Sequence, residues 1–175
     1  ETINVYLEEI TSQFNSPQRV RVLLDKKGRL SFESKEFASS KNQHPLKVCL
    51  AKEPIHSGNV FLFHKTTHRY VYSQALRSFR GPAHEKPKPV DDVLLYNERG
   101  ELTEFTIGNL VVEMNGRFYT PPVSCGLLPG TFRAHLVETG QVVERTVRVE
   151  ELKDCSRIFL VNSVRKWQEV QLDLD

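Results

Sequence analysis

The sequence predicts an α+β fold in which strands outnumber helices. Three observations carry this. Asn115-Gly116 stands between two strand-like runs, at 110–114 and 117–120, and is the strongest short hairpin turn in the chain. A second turn, Asn97-Glu98-Arg99-Gly100, separates runs at 92–96 and 102–106. Helical periodicity is confined to short stretches, the first being Ile3, Leu7, Ile10 and Phe14, which recur at helical spacing as one apolar stripe.

The elements follow in chain order. Asn15-Ser16-Pro17 ends the first helix. Residues 19–24 alternate polar and apolar, Asp25-Lys26-Lys27-Gly28 turns the chain, and 30–33 return, so residues 1–36 read as a helix plus a hairpin with little core of their own. Residues 38–45 are polar and breaker-rich and read as a linker. Strands are expected at 46–51 and 60–63, then a helix over 67–79 with Val71, Ala75 and Leu76 apolar. Three prolines between 80 and 89 exclude regular structure there. After the two hairpins, Leu128-Pro129-Gly130-Thr131 precedes a helix to about Glu138, closed by Gly140. Strands at 142–147, 158–161 and 170–172, with a short helix near 150–155, complete a strand-rich main domain over 46–175.

Composition excludes several function classes. At 175 residues the chain can bury a core without disulfides or a structural metal. No apolar run approaches the ~20 residues that span a bilayer, so no membrane partner is expected. A net charge of +2, with aromatics not interleaved in a basic stripe, argues against nucleic acid. The charge is uneven: residues 1–90 hold 15 Lys and Arg against 8 Asp and Glu, and residues 91–175 hold 9 against 14. Solvated faces account for this; the sharper reading turns the basic half toward an anionic ligand. Cys49, Cys125 and Cys155 form no CxxC pair, which fits reduced, buried thiols in a cytoplasmic protein. His64 and His68 are four apart, a spacing that one helix face would share, but no HExxH surrounds them and no metal is expected.

Three features could carry chemistry. Lys65 follows the apolar run Val60-Phe61-Leu62-Phe63, which puts an amine at the end of an expected buried strand. Such a lysine is ordinarily a snorkelling end-cap, but an apolar site would depress its pKa as imine chemistry needs. Glu104 lies in the strand-like stretch before Phe105. Alternation alone leaves it at the surface; turned inward, it needs a cationic partner to offset desolvation. Gly130 lets backbone approach a ligand, and Thr131 and Phe132 then open a helix whose free N–H groups suit a phosphate. The plain alternative is a Pro-Gly turn. Together these supply an amine, a carboxylate and an anion cradle, the three things pyridoxal phosphate requires.

Residues 97–104 (Asn-Glu-Arg-Gly-Glu-Leu-Thr-Glu), with Gly108-Asn109-Leu110, Thr120-Pro121-Pro122 and residues 126–133 (Gly-Leu-Leu-Pro-Gly-Thr-Phe-Arg), resemble the fold-type IV pyridoxal-phosphate enzymes. That family comprises branched-chain and D-amino acid aminotransferases and 4-amino-4-deoxychorismate lyases, and the resemblance covers nearly all of residues 19–170. It implies a homodimer binding pyridoxal 5'-phosphate. By position, Lys65 looks like the Schiff-base lysine and Glu104 like the partner of the pyridinium nitrogen. Thr131 and Phe132 would give backbone N–H groups to the phosphate, Ser163 a hydroxyl. Tyr70 matches an active-site tyrosine of the aminotransferases, and Asn109 is expected to be structural.

His64-Lys65-Thr66-Thr67, with Tyr72 seven beyond the lysine, is most similar to the lyases. The implied reaction converts 4-amino-4-deoxychorismate to 4-aminobenzoate and pyruvate, for folate biosynthesis. The alternatives are an aminotransferase acting on branched-chain or D-amino acids, or a truncated inactive family member. The chain opens at Glu1 in a helical pattern, without Met or a signal peptide. By resemblance, residues 1–37 are the C-terminal part of a small N-terminal domain, 38–45 the interdomain linker, and 46–175 the large cofactor-binding domain. Strands and a phosphate-gripping arginine of that family are expected upstream.

Overall fold

The computed structural model describes residues 3–37, 44–80 and 90–173. Most of the expected linker (38–43) and the proline-rich stretch 81–89 lie outside the described residues. The chain divides into two compact units, 1–43 and 44–175.

The first unit is helix α1 (Ile3–Thr11) and a hairpin of β1 (Gln18–Leu24) and β2 (Leu30–Glu36). Gln18 pairs with Glu36 and Leu24 with Leu30. The Asp25 carboxylate accepts the backbone N–H groups of Lys27 and Arg29, and Gly28 takes φ 78°, which closes the turn. Phe32 meets Tyr6 and Phe14 edge-on at 6.3 and 6.4 Å, but among the unit's described residues only Ile10 is fully buried. The thin core expected from the sequence is what the fold has.

The second unit is built on eight strands: β3 (Leu46–Leu50), β4 (Asp92–Tyr96), β5 (Leu102–Phe105), β6 (Asn109–Met114), β7 (Arg117–Thr120), β8 (Val143–Glu144), β9 (Arg157–Asn162) and β10 (Lys166–Asp173). Their order is β5-β4-β3-β10-β9-β6-β7-β8, and β5 also pairs with β6. Six strands therefore close on themselves as a barrel, which leaves few free sheet edges. Leu94, Leu102, Phe105, Leu110, Val112 and Leu160 fill its interior.

Two helices cover the outside. Helix α2 (Tyr70–Arg80) sets Tyr72, Leu76 and Phe79 against Val93 and Leu95 of β4. Helix α3 (Thr131–Glu138) sets Leu136 against Val111, Phe159 and Val161. Strands buried on both faces read as unbroken apolar runs, which is why Val93-Leu94-Leu95 and Leu110-Val111-Val112 do not alternate. Among the described residues no helix is long and apolar enough to cross a membrane, and no group of three or more His, Cys, Asp or Glu could hold a metal ion.

The structure corrects three expectations. Residues 60–63 are not a buried strand: Val60–Leu62 form one 3₁₀ turn, capped by the Asn59 side chain on the Phe61 N–H. Only Leu62 points inward, while Val60 and Phe61 stay exposed. His64 and His68 fall on the loop before α2 rather than on a helix, whose first residue is Tyr70, not Thr67. Of the expected strand 142–147 only Val143–Glu144 forms a strand, paired with β7, while the Arg145 N–H donates to the Thr120 carbonyl and the Leu102 N–H to the Val147 carbonyl.

Asn115 and Gly116 both have positive φ, 51° and 72°, the conformation a two-residue hairpin turn demands. A Cβ on Gly116 would meet nothing within 4 Å, so its only cost is backbone conformation. Gly116→Ala is expected to lower stability by about 1 kcal/mol in urea melts, with Gly116→Asn costing less.

Candidate active site

The site sits where β5 and β6 meet. Glu104 and Asn109 are direct partners across this pair, joined by the tight turn in which the Phe105 N–H bonds the Gly108 carbonyl. The turn is braced from below. Asp92, itself buried, accepts both the N–H and the hydroxyl of Thr106. Burial pushes the Asp92 carboxyl up, against these hydrogen bonds.

Glu104 is 3% exposed, so it points inward and not to the surface. Among the described residues no cation hydrogen-bonds or ion-pairs with it, contrary to what desolvation alone suggested. Three neutral donors do: the Tyr72 hydroxyl on Oε1 at 2.8 Å, the Leu128 N–H on Oε1 at 3.1 Å, and Asn109 Nδ2 on Oε2 at 3.2 Å. Burial pushes the Glu104 carboxyl up to about 7; the Tyr72 and Leu128 hydrogen bonds and the charges of Arg69 and Lys65 oppose the rise.

Asn109 links this carboxylate to the start of α3. Its Nδ2 also donates to the Leu128 carbonyl at 2.8 Å, and its Oδ1 lies where a Cβ on Gly130 would be, 2.2 Å away. Gly130 begins α3 with no side chain capping the helix and no acidic residue in the first turn. The N–H groups of Thr131 and Phe132 thus have no partner within the helix. Thr131 is exposed and Phe132 half-buried. Ser163 is exposed on the β9–β10 turn, which Asn162 shapes by accepting the N–H groups of Val164 and Arg165. Asn162 also donates to the Ile107 carbonyl, fastening the Ser163 turn to the turn after Glu104.

Lys65 is exposed on the loop after the 3₁₀ turn. That loop is anchored upstream. The N–H and hydroxyl of Ser57 donate to Glu98 at 2.8 and 2.6 Å, and Arg99 donates to Ser57 Oγ, Glu98 and Glu101. Asn97 donates to Glu101 and the Cys125 carbonyl. The Ser57 hydrogen bonds hold Glu98 down at about 2, and Arg99 and Asn97 do the same for Glu101. The Asn97–Glu101 motif is a brace that ties the segment leading to Lys65 onto the β4–β5 turn.

Tyr70, the first residue of α2, is 63% exposed, and no described hydrogen bond brings it to Glu104. The tyrosine that reaches Glu104 is Tyr72. Arg69 lies over its ring at 4.5 Å and donates to the Thr106 carbonyl. The sequence held a clue to Tyr72, since Tyr72, Leu76 and Phe79 share one helical stripe. Nothing in the sequence pointed to Arg69.

The amino-transferase class IV family model matches residues 1–172. Among curated proteins, a provisionally named aminodeoxychorismate lyase of Schizosaccharomyces pombe is 34% identical over 158 residues, covering 88% of this chain and 66% of that protein. The aminodeoxychorismate lyase of Saccharomyces cerevisiae is 28% identical over 129 residues, 67% of this chain and 34% of that protein. The chain thus spans less than two thirds of the length of these relatives. A solved structure from Mesorhizobium loti, provisionally named an amino-acid aminotransferase, superposes with a TM-score of 0.86 at 30% identity, covering 98% of this chain and 80% of that one. A provisionally named 4-amino-4-deoxychorismate lyase from Legionella pneumophila shares the fold, with a TM-score of 0.79 at 23% identity, covering 98% and 67%. With its model matched from residue 1 to residue 172, the family is settled: this chain belongs to the class IV amino-transferases, which are pyridoxal-phosphate-dependent enzymes.

Proposed function

We propose that this chain carries the cofactor-binding part of a pyridoxal-phosphate-dependent lyase that converts 4-amino-4-deoxychorismate to 4-aminobenzoate and pyruvate. The observation that carries the cofactor reading is the join made by Asn109, between a buried carboxylate and the uncapped start of α3. The residues present fit the group. Glu104 Oε2 would receive the ring nitrogen, the N–H groups of Thr131 and Phe132 and the Ser163 hydroxyl would hold the phosphate, and Lys65 would bind the aldehyde. The lyase reading is supported by the names of the two fungal relatives.

When bound, the cofactor supplies an electron sink for the substrate carbon next to its amine. The chain's own residues do the rest. Glu104 would keep a proton on the ring nitrogen. Lys65 would take the proton from ring C4 of the substrate and return one to the enolpyruvyl methylene. The C–O bond to that group breaks, pyruvate leaves and the ring aromatises. Class IV aminotransferase activity is the second reading, favoured by the likeness to the Mesorhizobium loti structure. It would use the same residues but release a keto acid.

Borohydride reduction of protein loaded with pyridoxal phosphate, followed by peptide mapping, is expected to place the label on Lys65. A label elsewhere, or none, overturns the cofactor reading. Pyruvate release from aminodeoxychorismate, without keto acid from leucine, glutamate or D-alanine, is expected of the lyase; the reverse result establishes the second reading.

A further inference from the structure

The two oxygens of Glu104 are not equivalent. Oε1 accepts two donors, the Tyr72 hydroxyl at 2.8 Å and the Leu128 N–H at 3.1 Å, which use both of its lone pairs. Among the described residues Oε2 accepts one, Asn109 Nδ2 at 3.2 Å, and that amide is held closer to the Leu128 carbonyl at 2.8 Å. One lone pair of Oε2 is therefore left for an incoming donor. Tyr72 is fixed to make this asymmetry. Its ring is buried on α2 among Ala51, Ile55, Leu62, Val93 and Leu95, and Arg69 lies over it while holding the Thr106 carbonyl.

We infer that Tyr72 is a positioning residue for the cofactor: it pins Glu104 by Oε1 and leaves Oε2 to the ring nitrogen. This rests on the cofactor reading proposed above. Burial and the neighbouring carboxylate push the Tyr72 phenol well above its ordinary range, so it remains a donor wherever the protein is folded. The groups facing Glu104 are few. They are Tyr72 from α2, Arg69 and Lys65 from the segment before it, Asn109 from β6 and the Leu128 N–H before α3. Of these only Tyr72 offers a side-chain hydroxyl, and losing it removes a donor that favours the charged form.

The test is Tyr72→Phe, which keeps the ring in its cluster. Carbon-13 NMR of Glu-labelled, cofactor-free protein, with the Glu104 signal assigned through Glu104→Gln, follows the carboxyl directly. Its midpoint is expected to rise by about one pH unit. Replacing Tyr72 by 3-fluorotyrosine, a stronger donor, is expected to move the midpoint down. Pyridoxal phosphate is expected to bind Tyr72→Phe about tenfold more weakly at pH 8, where the cofactor-free variant also melts a few degrees lower because its charged carboxylate has lost a donor. A midpoint that stays put in both variants overturns the inference, as does unchanged affinity beside a shifted midpoint. If the parent protein takes up no pyridoxal phosphate, the cofactor reading falls and this inference with it, whereas binding to the parent with no effect of Tyr72→Phe removes the inference alone.

Discussion

Glu104→Gln is expected to keep pyridoxal phosphate bound and to lower turnover by about 10²–10³-fold, the scale of losing one preorganised electrostatic partner. The amide can present its oxygen where Oε1 stands, accepting the Tyr72 hydroxyl and the Leu128 N–H as before. Its NH₂ group then occupies the Oε2 position, where Asn109 Nδ2 loses that acceptor and keeps the closer Leu128 carbonyl. A donor faces the ring nitrogen where an acceptor stood, so the nitrogen is held without its proton and the electron sink weakens. The affinity is retained because one hydrogen bond replaces another. A dissociation constant and a steady-state rate, measured on the same sample, check this; near-normal turnover would remove Glu104 from the chemistry.

The same substitution changes how stability depends on pH. The folded Glu104 carboxyl titrates at about 7, above its ordinary 4.5, because burial disfavours the charge. Between these values the folded chain binds the proton more tightly than the unfolded chain does. The parent therefore has this stability in full below pH 4.5 and loses it as pH rises through 7. Glu104→Gln has no such proton to lose. From pH 5 to pH 8 its stability relative to the parent is expected to improve by about 2–3 kcal/mol, read from urea midpoints at the two pH values.

What the sequence reveals here follows how local each feature is. The hairpins were legible because their turns are encoded in adjacent residues, as Asn115-Gly116 shows with both φ values positive. Helix α3 was legible from Gly130 and Gly140, which lie just outside its two ends. The 3₁₀ turn at Val60–Leu62 was not, because four apolar residues look like a strand unless the Asn59 cap is weighed. The closed barrel was invisible too. It rests on β3 lying parallel to both β4 and β10, and β10 is more than 100 residues further along the chain. At the site, Lys65, Glu104 and Thr131 stood out as candidates from their local pattern, and the family resemblance supplied their roles. Pattern alone put Glu104 at the surface, and its burial depends on Tyr72 and Leu128, which are distant in sequence. Desolvation called for a cation beside it, but three neutral donors stand there instead, with Arg69 and Lys65 acting through their charge.

Gly130→Ala is expected to cost about 3 kcal/mol and to weaken cofactor binding, although its backbone is ordinary. At φ −65° and ψ 141° any residue is accommodated, so the obstacle is space. The new Cβ would lie 2.2 Å from Asn109 Oδ1 and 3.3 Å from its Cγ. Asn109 cannot swing aside freely, because it is buried and holds both Glu104 Oε2 and the Leu128 carbonyl. Rotating it breaks both hydrogen bonds and leaves buried acceptors short of a donor, at about 1–3 kcal/mol for each. The same rotation frees the carboxylate that would meet the ring nitrogen, so stability and cofactor affinity fall together. A double-mutant cycle separates this from a simple loss at the helix start. In an Asn109→Ala background the clash is gone, and Gly130→Ala should then cost under about 1 kcal/mol, the difference between Gly and Ala at an N-cap. Additive costs in the two backgrounds would show that Gly130 and Asn109 act independently, and the join between carboxylate and phosphate cradle would be lost as an explanation of the site.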